Sequence, residues 1–238
     1  MINLPSAVIF DTDNTLYSYE NPHAAGIKAV EKKVLALLGI NNTEFYLAYE
    51  KSRKQIKELL LNTASSHSRL LYFQRTLENL GLKTKVLISL DLEQTYWRTF
   101  LNNCELFEGV LDFIHQIKSL GITIANITDL TTQIQFRKLV YFGLDEFFDY
   151  VVTSEEAGHD KPHRKPFEIA LKKLNCKPDQ VWMIGDNPIS DMIGAEKVGI
   201  KKIQKIHDGV KIIDKGEGKP DIIFRNYKEL TKLIKNNM

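Results

Sequence analysis

Two regimes of hydrophobic patterning alternate along this chain. Ala7-Val8-Ile9-Phe10 is an unbroken apolar run of β-preferring residues that stops at Asp11, which predicts a buried strand opening into a loop. Beyond Tyr17 the spacing turns helical and stays so as far as Leu101. Asn21-Pro22 reads as a helix start, a capping side chain followed by a proline at the first helical position, and Gly39 as that helix's end. Further helices are predicted from about Thr43 to Leu61 with the Asn42-Thr43 pair as caps, from about Ser66 to Leu80 ahead of Gly81, and from about Thr84 to Leu101. In the third of these, Leu70, Leu71, Phe73, Leu77 and Leu80 recur at the spacing of one bundle face.

From Phe107 the pattern changes to strands alternating with helices. A helix through Phe113 and Ile117 ends at Gly121, Ile122 to Ile127 is a β-type run with Thr128 at its end, a helix through Phe136 and Leu139 stops near Gly143, and Tyr150 to Thr153 is a short strand. Thr153-x-x-Glu156 has the form of a capping box. A helix from about Phe167 to Leu174 leads to a second apolar run, Val181 to Gly185, which closes on Asp186. Asp191 to Val198 is expected to be helical, Ile200 to Ile206 extended, Asp208 to Pro220 an exposed loop, Asp221 to Phe224 an edge strand and Tyr227 to Ile234 a closing helix. Helices inserted between two βα elements must bury their apolar stripes against one another, so residues 18–105 are expected to form a domain separate from an α/β core of residues 1–17 and 106–238.

The chemistry sits where the apolar runs end. Asp11 and Asp13 stand one residue apart, and two buried carboxylates that close repel unless one keeps its proton or a cation, such as Mg²⁺, lies between them. The second run ends in Gly185-Asp186, with Asp191 five positions on. In an open α/β sheet the C-terminal ends of strands face one site, so these distant carboxylates can share it.

Asp11-Thr12-Asp13-Asn14-Thr15, together with Gly185-Asp186 through Asp191, resembles the first and last motifs of the haloacid dehalogenase superfamily of aspartate-nucleophile phosphotransferases. The resemblance implies a Rossmann-like parallel sheet flanked by helices and makes the helical insert a cap domain that selects substrates. It implies Asp11 as nucleophile and Asp13 as general acid and base, with Thr15 orienting their loop. It implies Thr128 as the hydroxyl that bonds the phosphoryl group, and Lys161 as the lysine that binds both Asp11 and the phosphoryl oxygens, preferred over Lys165 by its register. The implied Mg²⁺ ligands are Asp11, the carbonyl of Asp13 and Asp186, supported by Asp191, with Gly185 allowing close backbone approach. Asp129 departs from the family pattern, where many relatives carry Asn. Asp13 favours a phosphatase over a dehalogenase, because an alkoxide leaving group gains from a general acid and a halide does not. Tyr17, His23 and Arg69 are possible substrate contacts, with Tyr19, His67 and Tyr72 beside them, and Arg69 suits a second anionic group.

The expected reaction is hydrolysis of a small soluble phosphomonoester, a sugar phosphate or nucleotide, through an aspartyl phosphate. The alternatives are a phosphomutase, a 2-haloacid dehalogenase or a non-catalytic ligand-binding module. Composition narrows the partners: 238 residues, 43% hydrophobic and 26% charged with a formal charge of +2, carry no footprint for nucleic acid or an anionic membrane. Cys104 and Cys176 lack metal-type spacing and suit a reducing compartment. The absence of a basic, apolar leader and of any apolar stretch near ~20 residues gives the expectation of a cytoplasmic protein, monomeric or homodimeric.

Overall fold

In the computed structural model, which describes residues 3–237, the chain falls into two compact units. One comprises the residues up to Ser18 together with those from Glu105 onward; the other is Tyr19–Cys104.

The first unit is built on six parallel strands among the described residues: β1 (Ala7–Phe10), β2 (Thr123–Thr128), β3 (Tyr150–Thr153), β4 (Val181–Gly185), β5 (Lys201–Lys205) and β6 (Ile222–Phe224), in the order β3-β2-β1-β4-β5-β6. The sheet is flanked by α5 (Val110–Ser119), α6 (Thr132–Tyr141), α7 (Ser154–Ala157), α8 (Arg164–Leu174), α9 (Gly194–Glu196) and α10 (Tyr227–Lys235). β1 is central because every one of its side chains is apolar and can be covered on both faces. Successive residues point to opposite faces. Ile9 joins Phe167, Ala170 and Leu174 of α8 on one side, while Phe10 meets the Phe113 ring edge-on at 6.2 Å on the other. Register then sets the site: Phe10 pairs with Asn126 of β2 and with Ile184 of β4, so Asp11, Thr128 and Asp186 all stand together at the C-terminal ends of their strands.

The second unit consists of α1 (Glu20–Leu38), α2 (Asn42–Leu60), a 3₁₀ turn at Ala64–His67, α3 (Arg69–Asn79) and α4 (Val86–Asn102). α1 runs against α4, and α3 packs on both α2 and α4. Its core is aromatic, with Phe45, Tyr49, Phe73, Tyr96, Trp97 and Phe100 in a chain of ring contacts. Gly26 makes the α1–α4 approach possible, since a Cβ there would lie 2.8 Å from the Tyr96 ring.

Several local expectations are corrected. α1 starts at Glu20 without a side-chain cap, so Asn21 is already helical. The cap of α2 is Asn41, whose side chain accepts from the Glu44 N–H, and not the Asn42-Thr43 pair. The buried face of α3 is Arg69, Tyr72, Phe73, Thr76 and Leu77; Leu70, Leu71 and Leu80 lie at its margin. α8 begins at Arg164, earlier than Phe167, with His163 capping Lys165. Helical structure after β4 begins at Pro188 rather than Asp191: Pro188–Ile193 is a π-helical turn capped by Asn187, whose side chain accepts from the N–H groups of Ile189 and Ser190. Among the described residues, no helix is long and apolar enough to cross a membrane.

Candidate active site

The ladder between β1 and β4 continues one residue past Phe10, because the Asp11 N–H donates to the carbonyl of Ile184 at 2.9 Å. That bond fixes where the Asp11 carboxylate leaves the sheet. One of its oxygens accepts from Lys161 Nζ at 2.6 Å and the other from the Thr15 hydroxyl at 2.9 Å. Lys161 is itself buried and reaches three acceptors: Asp11, Asp191 at 2.7 Å and the carbonyl of Ile127 at 3.1 Å. Lys165 is exposed on the first turn of α8. The structure thus brings Lys161 into the site and leaves Lys165 outside.

Asp191 is fully buried, and its second oxygen accepts from the Asn187 N–H at 3.0 Å. A side chain on Gly185 would occupy the same space, its Cβ 2.3 Å from Asp191 Oδ2. Glycine at the end of β4 is therefore the condition for an acid at 191. Asp191 stands inside the carboxylate cluster, not merely behind it. Ligand oxygens of Asp11, Asp186 and Asp191 all lie within 4.8 Å of one another.

Three acids facing one lysine leave an excess of negative charge. Burial, with Asp11 and Asp191 adding to it, pushes the Asp186 carboxyl up to about 9, and burial raises Asp11 to about 6 against the pull of Lys161. Burial works against the Lys161 ammonium too, yet Asp11 and Asp191 hold it well above the usual lysine range. An all-oxygen set short of positive charge suits a hard divalent cation, so the residues fit Mg²⁺.

The Asp13 carboxylate is engaged elsewhere. Its Oδ1 accepts from Lys138 Nζ at 2.6 Å and from the hydroxyl of Tyr17. Tyr17, expected among the substrate contacts, is fully buried in the first unit with its hydroxyl on Asp13. Lys138, in α6, belongs to no motif of the sequence that marks a site. Nor do Asn126 and Gln135 belong to any such motif: Asn126 donates to the Phe10 carbonyl and to Thr12, both at 2.9 Å, and Gln135 to the Asp129 carbonyl at 2.7 Å. The one available clue was a polar residue recurring at apolar spacing, as Gln135 and Lys138 do between Ile134 and Leu139.

Thr128 is buried at the end of β2, paired in register with Thr153. Asp129 turns to the Lys161 N–H, which donates to it at 3.0 Å, and burial raises its carboxyl to about 6. The acid that departs from the family pattern thus holds the lysine's backbone. In the helical unit, His23 pairs with the Tyr96 hydroxyl at 2.8 Å, and burial with the nearby Arg69 and Arg53 lowers it to about 4. The Arg69 guanidinium donates to the His67 carbonyl at 2.7 Å and to the Tyr19 hydroxyl, amid the rings of Tyr72, Tyr96 and Trp97.

Residues 8–205 match the haloacid dehalogenase-like hydrolase family. The chain belongs to that family. This haloacid dehalogenase-like hydrolase is 34% identical over 201 residues to the ribulose-1,5-bisphosphate 5-phosphatase of Halopiger xanaduensis, with 84% of each chain covered. It is 30% identical over 198 residues to the glyceraldehyde 3-phosphate phosphatase of Methanothermobacter thermautotrophicus, covering 83% of this chain and 84% of the other. Its fold is similar to the magnesium-bound crystal structure of the hydrolase YfnB from Bacillus subtilis, at a TM-score of 0.73 and 20% identity over 98% of this chain and 100% of that one. A 2-haloacid dehalogenase from Pseudomonas syringae has the same fold, at a TM-score of 0.76 and 20% identity over 99% of each chain.

Proposed function

We propose that this hydrolase is a Mg²⁺-dependent phosphatase that cleaves a small sugar phosphate through an aspartyl phosphate on Asp11. The observation that carries the reading is the buried Lys161 ammonium, 2.6 Å from Asp11 and 2.7 Å from Asp191, at the C-terminal ends of the strands where Asp186 also emerges. The names of the two relatives favour sugar phosphates over nucleotides.

Asp11, at about 6, is largely ionised at neutral pH and available as a nucleophile. Its oxygen forms the bond to phosphorus as the bond to the alkoxide breaks, and Asp13 gives that alkoxide a proton. Asp13 then takes a proton from the water that attacks the same phosphorus, releasing Asp11 and inorganic phosphate. Lys161 and the Thr128 hydroxyl hold the phosphoryl oxygens, and Thr15 keeps the Asp11 carboxylate in one orientation. Asp11, the Asp13 carbonyl and Asp186 would hold the ion, with Asp191 supporting them; Asp11, Asp186 and Asp191 already stand in one cluster. Bound Mg²⁺ supplies positive charge that screens the carboxylates from the phosphate. The helical unit serves as the cap, where His23 and Arg69 are the first residues to test for substrate contact.

The test is phosphate release from p-nitrophenyl phosphate and a panel of sugar phosphates and nucleotides, with and without Mg²⁺. Turnover by the wild type, lost in Asp11→Asn and on chelation, is the expected result. No turnover of any compound by the wild type would end the reading.

A further inference from the structure

Lysine is among the residues least often fully buried, because removing an ammonium from water costs far more than its methylene stem recovers. Lys138 is nonetheless completely buried. It stands on the inward face of α6 beside Ile134, Gln135 and Leu139, a position that a leucine or methionine would fill if packing were all that mattered. Its ammonium lies 2.6 Å from Asp13 Oδ1 and 5.8 Å from the centre of the Tyr17 ring, and the Tyr17 hydroxyl donates to the same oxygen.

Exposure gives this arrangement a direction. The Asp13 side chain is 30% exposed, whereas that of Lys138 is 1% exposed. The lysine therefore holds the carboxylate from behind and does not meet substrate. Gln135, one turn earlier, donates to the Asp129 carbonyl, so one helix face ties down both the loop after β1 and the loop after β2.

We propose that Lys138, assisted by Tyr17, is a positioning residue that fixes the Asp13 carboxylate in the orientation needed to protonate the leaving oxygen. Proton transfer requires the acid within hydrogen-bond reach of that oxygen, and a carboxylate free to rotate spends most of its time elsewhere. Two donors on one oxygen stop the rotation. This rests on Asp13 being the acid and base of the proposed reaction.

The experiment compares kcat/KM for phenyl phosphate, whose leaving group needs a proton, with that for p-nitrophenyl phosphate, whose leaving group departs readily without one. The ratio of the two is independent of the folded fraction in a preparation. Lys138→Met is expected to lower kcat/KM for phenyl phosphate by about 10- to 100-fold and for p-nitrophenyl phosphate by no more than about 3-fold. Tyr17→Phe is expected to shift the ratio the same way by less, and it carries the test if Lys138→Met does not fold. A parallel loss on both substrates, or no loss on either, overturns the proposal. Asp13→Asn separates the two levels of failure. If it changes the ratio and Lys138→Met does not, only the positioning role falls; if it leaves the ratio unchanged, the acid assignment of Asp13 falls with it.

Discussion

A methyl group at position 185 would lie 2.3 Å from Asp191 Oδ2, inside any tolerable contact, and Asp191 is fully buried with no room to retreat. Gly185→Ala is therefore expected to push Asp191 off Lys161 and to reduce phosphate release by about 10²-fold, the scale at which small misplacements of a site are felt. Lys161→Met removes the one charge that both Asp11 and Asp191 contact, leaving two buried carboxylates without their partner. A loss of about 3–5 kcal/mol in stability is expected, read from urea unfolding. At this scale the sequence is legible where an acid ends an apolar run, as at Asp11 and Asp186, since the strand itself delivers the side chain. It is opaque at Lys138, Gln135 and Asn126. Their partners, Asp13, Asp129 and Phe10, lie on other strands or loops, and a lysine on a helix reads as solvated until the helix is docked.

Elements were legible by type more than by edge. Asn41, Asn42 and Thr43 can all cap a helix by composition, and only the extended backbone of Asn41 selects it. Asn41→Ala is expected to cost about 1 kcal/mol, measured as a shift in the urea midpoint at unchanged slope, while Asn42→Ala stays within about 0.5 kcal/mol. The face of α3 was legible only in part, for a different reason. Apolar spacing finds Phe73 and Leu77, which are buried, but it adds Leu70, Leu71 and Leu80 at the margin and passes over Arg69 and Tyr72, whose polar ends bond to the His67 and Ser66 carbonyls and to Tyr19. Pattern reading treats such side chains as polar and assigns them outward. After β4, the expected helix begins one turn early because Asn187, exposed and unremarkable in sequence, caps a π-helical turn that carries Asp191 inward.

For the molecule as a whole, the acidic cluster makes stability depend on pH and on metal together. In metal-free protein the folded state raises Asp186 from 3.8 to about 9 and Asp11 from 3.8 to about 6, so it binds more protons than the unfolded chain. The contribution of these groups is present in full below pH 3.8 and is lost as pH climbs through about 6 and then about 9. Tm measured in a chelator is expected to fall between pH 6 and pH 9. Added Mg²⁺ should raise Tm, and raise it more at the upper end, because ion and proton compete for the same oxygens. A Tm in chelator that stays level across this range would contradict the charge balance drawn for the site.

The chain departs from its α/β unit after Ser18 and comes back at Glu105, and the two crossing points are held side by side: Tyr17 bridges to Leu106, and the Phe107 N–H donates to the Leu16 carbonyl at 2.8 Å. Everything between is a detour whose two ends share a doorway. Splicing out Tyr19–Cys104 with a few glycines asks the remaining backbone for no longer a reach than an ordinary tight turn. A grafted insert of any size needs only a matching pair of adjacent ends.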